Sequence, residues 1–402
     1  MAVYLKEFEN HTQYENYING NDAILPNVSI CATEGDVHYN PWVETRVVAK
    51  FNVTDASNPT QIGYNQYISG FSAIEIDGVV QTAVTSAYTF DTIGEHTVKY
   101  TLTDQTSIGK YAFAYCNNLT SIEMPNVVTS IGEDAFSNCS SLTSINIPSG
   151  VTSIGSSAFY FCRRLSSIEI PSGVTSIGNA TFNYCSSLTS INIPNSVTSI
   201  GASAFIGCTD LTSCTIGGGV TSIGSQAFRS CSGLTSIDIP NSVTSIGEDA
   251  FSNCSSLTSC TIGNGVTSIG NDAFSTCTSL TSCTIGSGVT SIGNYAFRNC
   301  SSLASINIPN SVTTIGYSAF NSCSGLTSCT IGSGVTSIGT WAFYNCSGLT
   351  SVTVNATTPP TLSGSAFDNT NNCPIYVPSE SVGTYKSATN WSLYSSRIQA
   401  IP

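Results

Sequence analysis

Phe113, Phe136, Phe159, Phe182, Phe205, Phe228, Phe251, Phe274, Phe297, Phe320 and Phe343 follow one another at intervals of 23 residues, and no other feature of the chain constrains its fold as tightly. The remaining fixed positions keep the same register. Leucine recurs from Leu119, Leu142 and Leu165 onward, Ile-Gly pairs run from Ile108-Gly109 to Ile338-Gly339, and one cysteine per unit runs from Cys116 to Cys346. A unit such as residues 142–164 has too few apolar side chains to close a core of its own, so it must lay them against the units on either side. The consequence is a solenoid of eleven units. Within one unit, Leu142, Ile145 and Ile147 have the spacing of a short strand. Val151 and Ile154 form a second apolar pair after a Pro-Ser-Gly bend, and Ala158-Phe159 anchors a connecting turn. The phenylalanines are then an internal ladder, each contributing about 2–3 kcal/mol by burial.

Composition narrows the chemistry. Only 9% of the 402 residues are charged, against roughly 25% in an ordinary soluble domain, so neutral polar groups must wet the surface. With 11 Lys+Arg against 24 Asp+Glu, the chain lacks the basic field that collects nucleic acid or anionic lipid. The three histidines, His11, His38 and His96, confine any His-centred catalysis or metal site to the first hundred residues. No cofactor motif or catalytic constellation stands out, and no enzyme activity is expected. No apolar run approaches the roughly 20 residues that span a bilayer. Met1-Ala-Val-Tyr-Leu-Lys-Glu leads into charge, so no export signal is expected either.

Seventeen cysteines would suggest disulfides or zinc, but the spacing argues for buried free thiols. A 23-residue interval stacks the side chains in parallel, with Cβ vectors side by side instead of facing. In Cys214, Cys260, Cys283 and Cys329 a cysteine takes the place of a core isoleucine, and in those units Gly follows the strand where Pro follows elsewhere. A smaller side chain that lets the bend tighten explains the pairing. Ranks of Thr-Ser, as at Thr152-Ser153, are read as solubilising. Asn-x-Ser/Thr at Asn118, Asn138, Asn253 and Asn345 is a by-product of the repeat. Glu133-Asp134, Glu248-Asp249 and Asp272 have calcium-ligand chemistry but read better as solvated charges, so no metal is expected.

Pattern and period over residues 106–355 resemble the BspA-like leucine-rich repeat family, known from bacterial surface proteins. The resemblance implies a mainly β leucine-rich repeat solenoid of eleven units. Thr358 to Phe367 read as a degenerate twelfth unit with its phenylalanine one residue late. Residues 374–378 and 382–401 resemble the closing segment of such proteins in gut Bacteroidales and their phages, which makes 356–402 a degenerate repeat and C-terminal cap.

Residues 1–105 hold 13 of the 24 acidic groups, all the histidines and no 23-residue period. Strand-like alternation over 43–53, 72–80, 83–90 and 96–103, broken by Asn-Pro, Asp-Gly and Ile-Gly, predicts a small immunoglobulin-like β-sandwich over 42–105. Residues 1–41 resemble leader segments of structural proteins in crAss-like and other Bacteroides phages, which implies attachment to other virion proteins.

Aromatics collect at the positions of each unit that vary, namely those after Ile-Gly and those between Phe and Cys. They comprise Tyr111 and Tyr115, then Tyr160, Phe161 and Tyr184, then Tyr295, Tyr317, Trp341 and Tyr344. Phe161 and Tyr184 are equivalent on adjacent turns and should stack. Arg163-Arg164, the one basic pair of the array, adds polar contacts. Such a face suits sugar rings or another protein, and equally suits packing against flanking segments. Three readings follow. The preferred one is a non-enzymatic phage virion surface protein (fibre, decoration or tail adhesin) binding a bacterial surface glycan or protein. The others are a BspA-type adhesin on the bacterial cell surface and a structural spacer without ligand. A homo-oligomer stays open, because no heptad pattern argues for a fibre trimer.

Overall fold

A computed structural model describes residues 46–64, 67, 70–103 and 106–402; the leader expected over residues 1–41 lies outside them. From 106 onward the chain coils as a β-solenoid in which a turn contributes a two-residue strand, a longer strand and a tight loop, the longer strand shrinking to a single bridge at Ser167. The two-residue strands pair parallel in one continuous sheet from Ser176–Ile177 to Thr361–Leu362.

The core is a set of columns. Twelve phenylalanines, from Phe113 to Phe343 and then Phe367, have no exposed surface and stack at centroid separations of 4.9–5.5 Å, with planes within 16° of parallel. The late phenylalanine still joins the stack. Ser351–Val354 keeps the 23-residue offset on Ser328–Ile331, whereas Thr361 pairs with Ser337 at 24, so the extra residue is taken up between 355 and 360. Beside the rings, each column thiol from Cys139 to Cys346 donates to the phenylalanine carbonyl of the turn before, as in Cys139 Sγ to Phe113 O at 3.1 Å and Cys254 Sγ to Phe228 O at 3.2 Å. All sixteen cysteines among the described residues are free, and burial pushes the Cys254 thiol up to about 12. Cysteine is therefore more than a small hydrophobe here, because its S–H satisfies a buried carbonyl that alanine would leave without a side-chain donor.

Threonine has a similar role. Thr221 Oγ1 donates to Thr198 O at 3.0 Å, Thr244 to Thr221 at 3.1 Å and Thr258 to Thr235 at 2.9 Å, in two ranks along the rod. The Thr-Ser pairs that read as solubilising are inter-turn clamps.

The glycine that follows the Cys-Thr-Ile strands also has a backbone role. Gly332 N–H donates to Ile308 O of the preceding turn at 2.9 Å, and a Cβ there would lie 2.5 Å from the Pro309 carbonyl carbon. Proline at that position has no N–H to give. New sheets accordingly begin at Ser190–Ile193, Ser236–Ile239 and Ser305–Ile308, which precede Pro194, Pro240 and Pro309. The glycine-ended strands Ser213–Ile216, Ser259–Ile262 and Ser328–Ile331 pair over four residues with the turn before.

Both ends of the ladder are closed by aromatic edges. At the start, Tyr100 stands 85° to Phe113 at 5.1 Å, with Phe71 alongside. At the finish, Tyr394 stands 89° to Phe367 at 5.8 Å, over a cap made of the helix Val382–Ser387, the 3-10 turn Trp391–Tyr394 and the strand Ile398–Ala400. Buried Trp391 donates Nε1–H to Pro360 O at 2.8 Å, and Arg397 donates to Cys373 O at 2.8 Å.

Over the span expected to form an immunoglobulin-like sandwich, 42–105, the described strands give one four-stranded antiparallel sheet and a two-stranded ribbon, Thr60–Gln61 with Ala87–Tyr88. The larger sheet does not end at the repeats. Arg46–Val53 pairs antiparallel with Gly94–Leu102 on one side and with Leu119–Glu123, the first long repeat strand, on the other. Its N–H and C=O edge is thereby consumed, and the segment covers the first turn of the rod.

Two expectations test this core. Phe228→Ala should cost about 3–5 kcal/mol in urea unfolding, because the neighbouring rings are held in register and cannot collapse into the gap. Iodoacetamide at pH 8 should leave Cys139, Cys162, Cys231 and Cys254 unmodified in the folded chain and modify them in denaturant; native labelling of these four would contradict the sealed thiol column.

Candidate functional site

The loop after most two-residue strands reads Gly-x-x-Ala-Phe-x-x-Cys, with Thr181 replacing Ala in one, and two of its residues take left-handed backbone. In one turn these are Ser157 (φ 55°) and Phe161 (φ 58°); in the next, Ala180 (52°) and Tyr184 (56°). The alternation lets every second N–H reach across to the next turn. Ser157 N donates to Asn179 O, Phe159 N to Thr181 O and Phe161 N to Asn183 O at 2.8–2.9 Å, while Tyr160 N and Cys162 N close local turns. Asn, Asp and Gly, the residues that take left-handed backbone most easily, recur at these positions, and Ser fills several others. For a bulky residue that conformation costs about 1–2 kcal/mol. Yet Tyr111, Tyr115, Phe161, Tyr184, Tyr295 and Trp341 all adopt it.

Those aromatics gather in three groups. Tyr111 and Tyr115 meet Tyr64 and Tyr67 of the N-terminal segment at 4.8–6.0 Å, a junction packing that leaves Tyr115 48% exposed. In the second group Tyr160 meets Phe161 at 4.5 Å, Phe161 meets Tyr184 at 4.7 Å, and Arg163 lies over Phe161 at 4.8 Å. Tyr184 is 45% exposed, and its ring runs over Gly207, where a Cβ would approach the ring to 2.7 Å. Glycine at 207 makes room for the tyrosine of the turn before. In the third group Tyr317 bridges Tyr295 at 5.1 Å and Trp341 at 5.4 Å, Trp341 meets Tyr344 at 6.1 Å, and Arg298 lies over Tyr295 at 5.3 Å. Trp341 is 41% exposed.

The sequence-derived residues are therefore brought together as two platforms, one of Tyr160, Phe161, Tyr184 and Arg163, the other of Tyr295, Tyr317, Trp341 and Tyr344. Arg164 is exposed and makes no ring contact among the described residues. Arg298 was not singled out in the sequence; it stands three residues after Tyr295, and only the tight loop folds it back onto that ring.

The acidic residues serve the turns. Glu133 pairs with Lys110 at 2.8 Å and Asp249 lies 3.6 Å from Arg229. Partial burial, then the neighbouring Asp249 carboxylate, hold Asp272 above the ordinary carboxylate range. His96 is buried, with Nδ1 2.7 Å from Asp77 and Nε2 3.0 Å from Thr92 O. A shallow depression of about 690 Å³ lies on the long-strand face, with Ile122, Ile145 and Ile168 as its floor and Glu123, Asn146 and Glu169 among its rim; it falls where Pro148 and Pro171 thin the strand pairing to three residues and then to the single Ser144–Ser167 bridge.

A rod of stacked short strands with polar and aromatic loops defines a leucine-rich repeat protein. Six copies of the BspA type Leucine rich repeat region match it over residues 106–235, 198–327 and 267–389, and the chain belongs to that family. It is similar to a leucine rich cell surface protein from Faecalibacterium prausnitzii A2-165, with 30% identity over 75% of this chain and 88% of that one and a TM-score of 0.44. It is also similar to a leucine-rich repeat protein from Bacteroides ovatus ATCC 8483, with 27% identity over 68% and 88% and a TM-score of 0.46. No curated protein matches it.

Asp272 gives a pH test. A carboxyl whose pKa is raised on folding favours the folded state below its unfolded value, about 3.9, and loses that contribution as pH rises through the folded value. Asp272→Asn, which left-handed backbone also accepts, should raise Tm slightly at pH 7 and leave it unchanged at pH 3. Calorimetry at the two pH values checks it.

Proposed function

We propose that this chain is a non-enzymatic recognition and adhesion protein, and that it meets a bacterial surface glycan or protein with its loop face. The observation that carries the reading is the third aromatic group. Tyr295 and Trp341 occupy left-handed positions that equivalent turns fill with Ser157 or Ser318, and they stay in contact through Tyr317 with part of Trp341 open to solvent. Rings that are costly to hold and left exposed serve contact better than stability.

The proposed setting is the surface of a phage virion, with residues 1–41 joining other virion proteins. Membership of the BspA-type family supports the same adhesive role on a bacterial cell surface. No helix among the described residues is long and apolar enough to cross a membrane. Gold-labelled antibody in electron microscopy separates the settings by decorating particles or cells.

Binding of labelled protein to Bacteroidales cells, read by flow cytometry, tests the role. Trp341→Ser/Tyr344→Ser should lower it at least tenfold with Tm kept within a few degrees. Unchanged binding would remove the aromatic group from the function.

A further inference from the structure

We infer that the two exposed aromatic platforms hold one neutral polysaccharide chain lying along the rod. The inference rests on the recognition role proposed above and names its ligand. Phe161 with Tyr184, and Tyr317 with Trp341, share two features, rings in contact across successive turns and a guanidinium over one ring of the group, and both lie on the loop around the column phenylalanine, the first pair just after it and the second just before it. An aromatic face of this kind receives the C–H face of a pyranose ring, while the surrounding Asn, Ser and Thr side chains can bond its hydroxyls. Five to six turns separate the platforms, which at the observed ring stacking of about 5 Å per turn is about 30 Å. Only an extended chain touches both at once.

Charge selects the occupant. Arg163, Arg164 and Arg298 stand at the platforms, but between them the loops carry Glu248, Asp249 and Asp272 against Arg229, so along the intervening turns a uronic or sulfated chain would lie over like charge. A neutral pyranose chain meets no such penalty.

The test uses the full chain in native gels containing mixed-linkage β-glucan, β-mannan or xylan, and titrations with the polymer that retards it and with the trisaccharide of that polymer. Two variants each restore residues that other turns carry: Phe161→Asn/Tyr184→Asn, as at Asn138 and Asn253, and Trp341→Ser/Tyr344→Ser, as at Ser318 and Ser252. The polymer should bind at least about tenfold more tightly than the trisaccharide, since engagement of the second platform is intramolecular. Either variant should bring the polymer down to the trisaccharide's affinity, and the combined variant should not bind. Retardation by none of the three polymers, or equal retardation of the combined variant, overturns the inference. If the gels are silent while Trp341→Ser/Tyr344→Ser still loses cell binding, the ligand is a protein and the recognition role stands; if cell binding is also unchanged, both fall.

Discussion

A 23-residue turn cannot bury its own apolar side chains, and everything else in this molecule answers that constraint. Each turn is held by its neighbours through three sets of contacts: parallel phenylalanine rings, thiols bonded to the phenylalanine carbonyl one turn back, and backbone N–H groups that cross between loops. Such a column has two raw ends. Tyr100 and Tyr394 meet the terminal rings edge-on, so the stack finishes against a favourable aromatic contact instead of water. The N-terminal sheet and the C-terminal helix are the means by which those two residues are put in place.

The faces of the rod differ in regularity. On the long-strand face every new sheet among Ser190–Ile193, Ser236–Ile239 and Ser305–Ile308 starts at a proline turn, and the shallow depression lies where proline turns follow one another. At the phenylalanine position the loop face has no such interruption, because its cross-turn bonds come from residues that keep their N–H, from Phe113 to Ala135 O through to Phe343 to Ala366 O. Aromatics set on that face are held at a repeating separation by a continuous ladder. This is the link between the repeat and the proposed recognition.

Much of this was legible in the sequence. Phe, Leu and Cys positions recur because each needs an identical hole in the next turn, so period alone revealed the ladder, and equivalent positions such as Phe161 and Tyr184 had to be neighbours. What escaped the sequence has a common cause: it depends on backbone hydrogen bonds. Asn138, Ser157 and Asp249 look merely polar, yet they sit where the chain turns left-handed. Thr221 and Thr244 look solvating, yet their hydroxyls bond the preceding turn. Pro240 and Gly263 look like alternative bends, yet one lacks an N–H that the other keeps. The docking of Arg46–Val53 onto Leu119–Glu123 joins residues some seventy apart, and no local pattern encodes such a pairing.

The central claim, that the turns are interchangeable steps of one sealed column, is tested most directly by excising residues 234–256. Gly233 then joins Leu257, and the ring, thiol and loop ladders each lose one step without losing register. The account predicts a folded chain with a single cooperative unfolding transition, shorter by about 5 Å in solution scattering, whereas removal of residues 234–245 alone abolishes the transition. Equal tolerance of the two deletions, or loss of folding in the first, would contradict it.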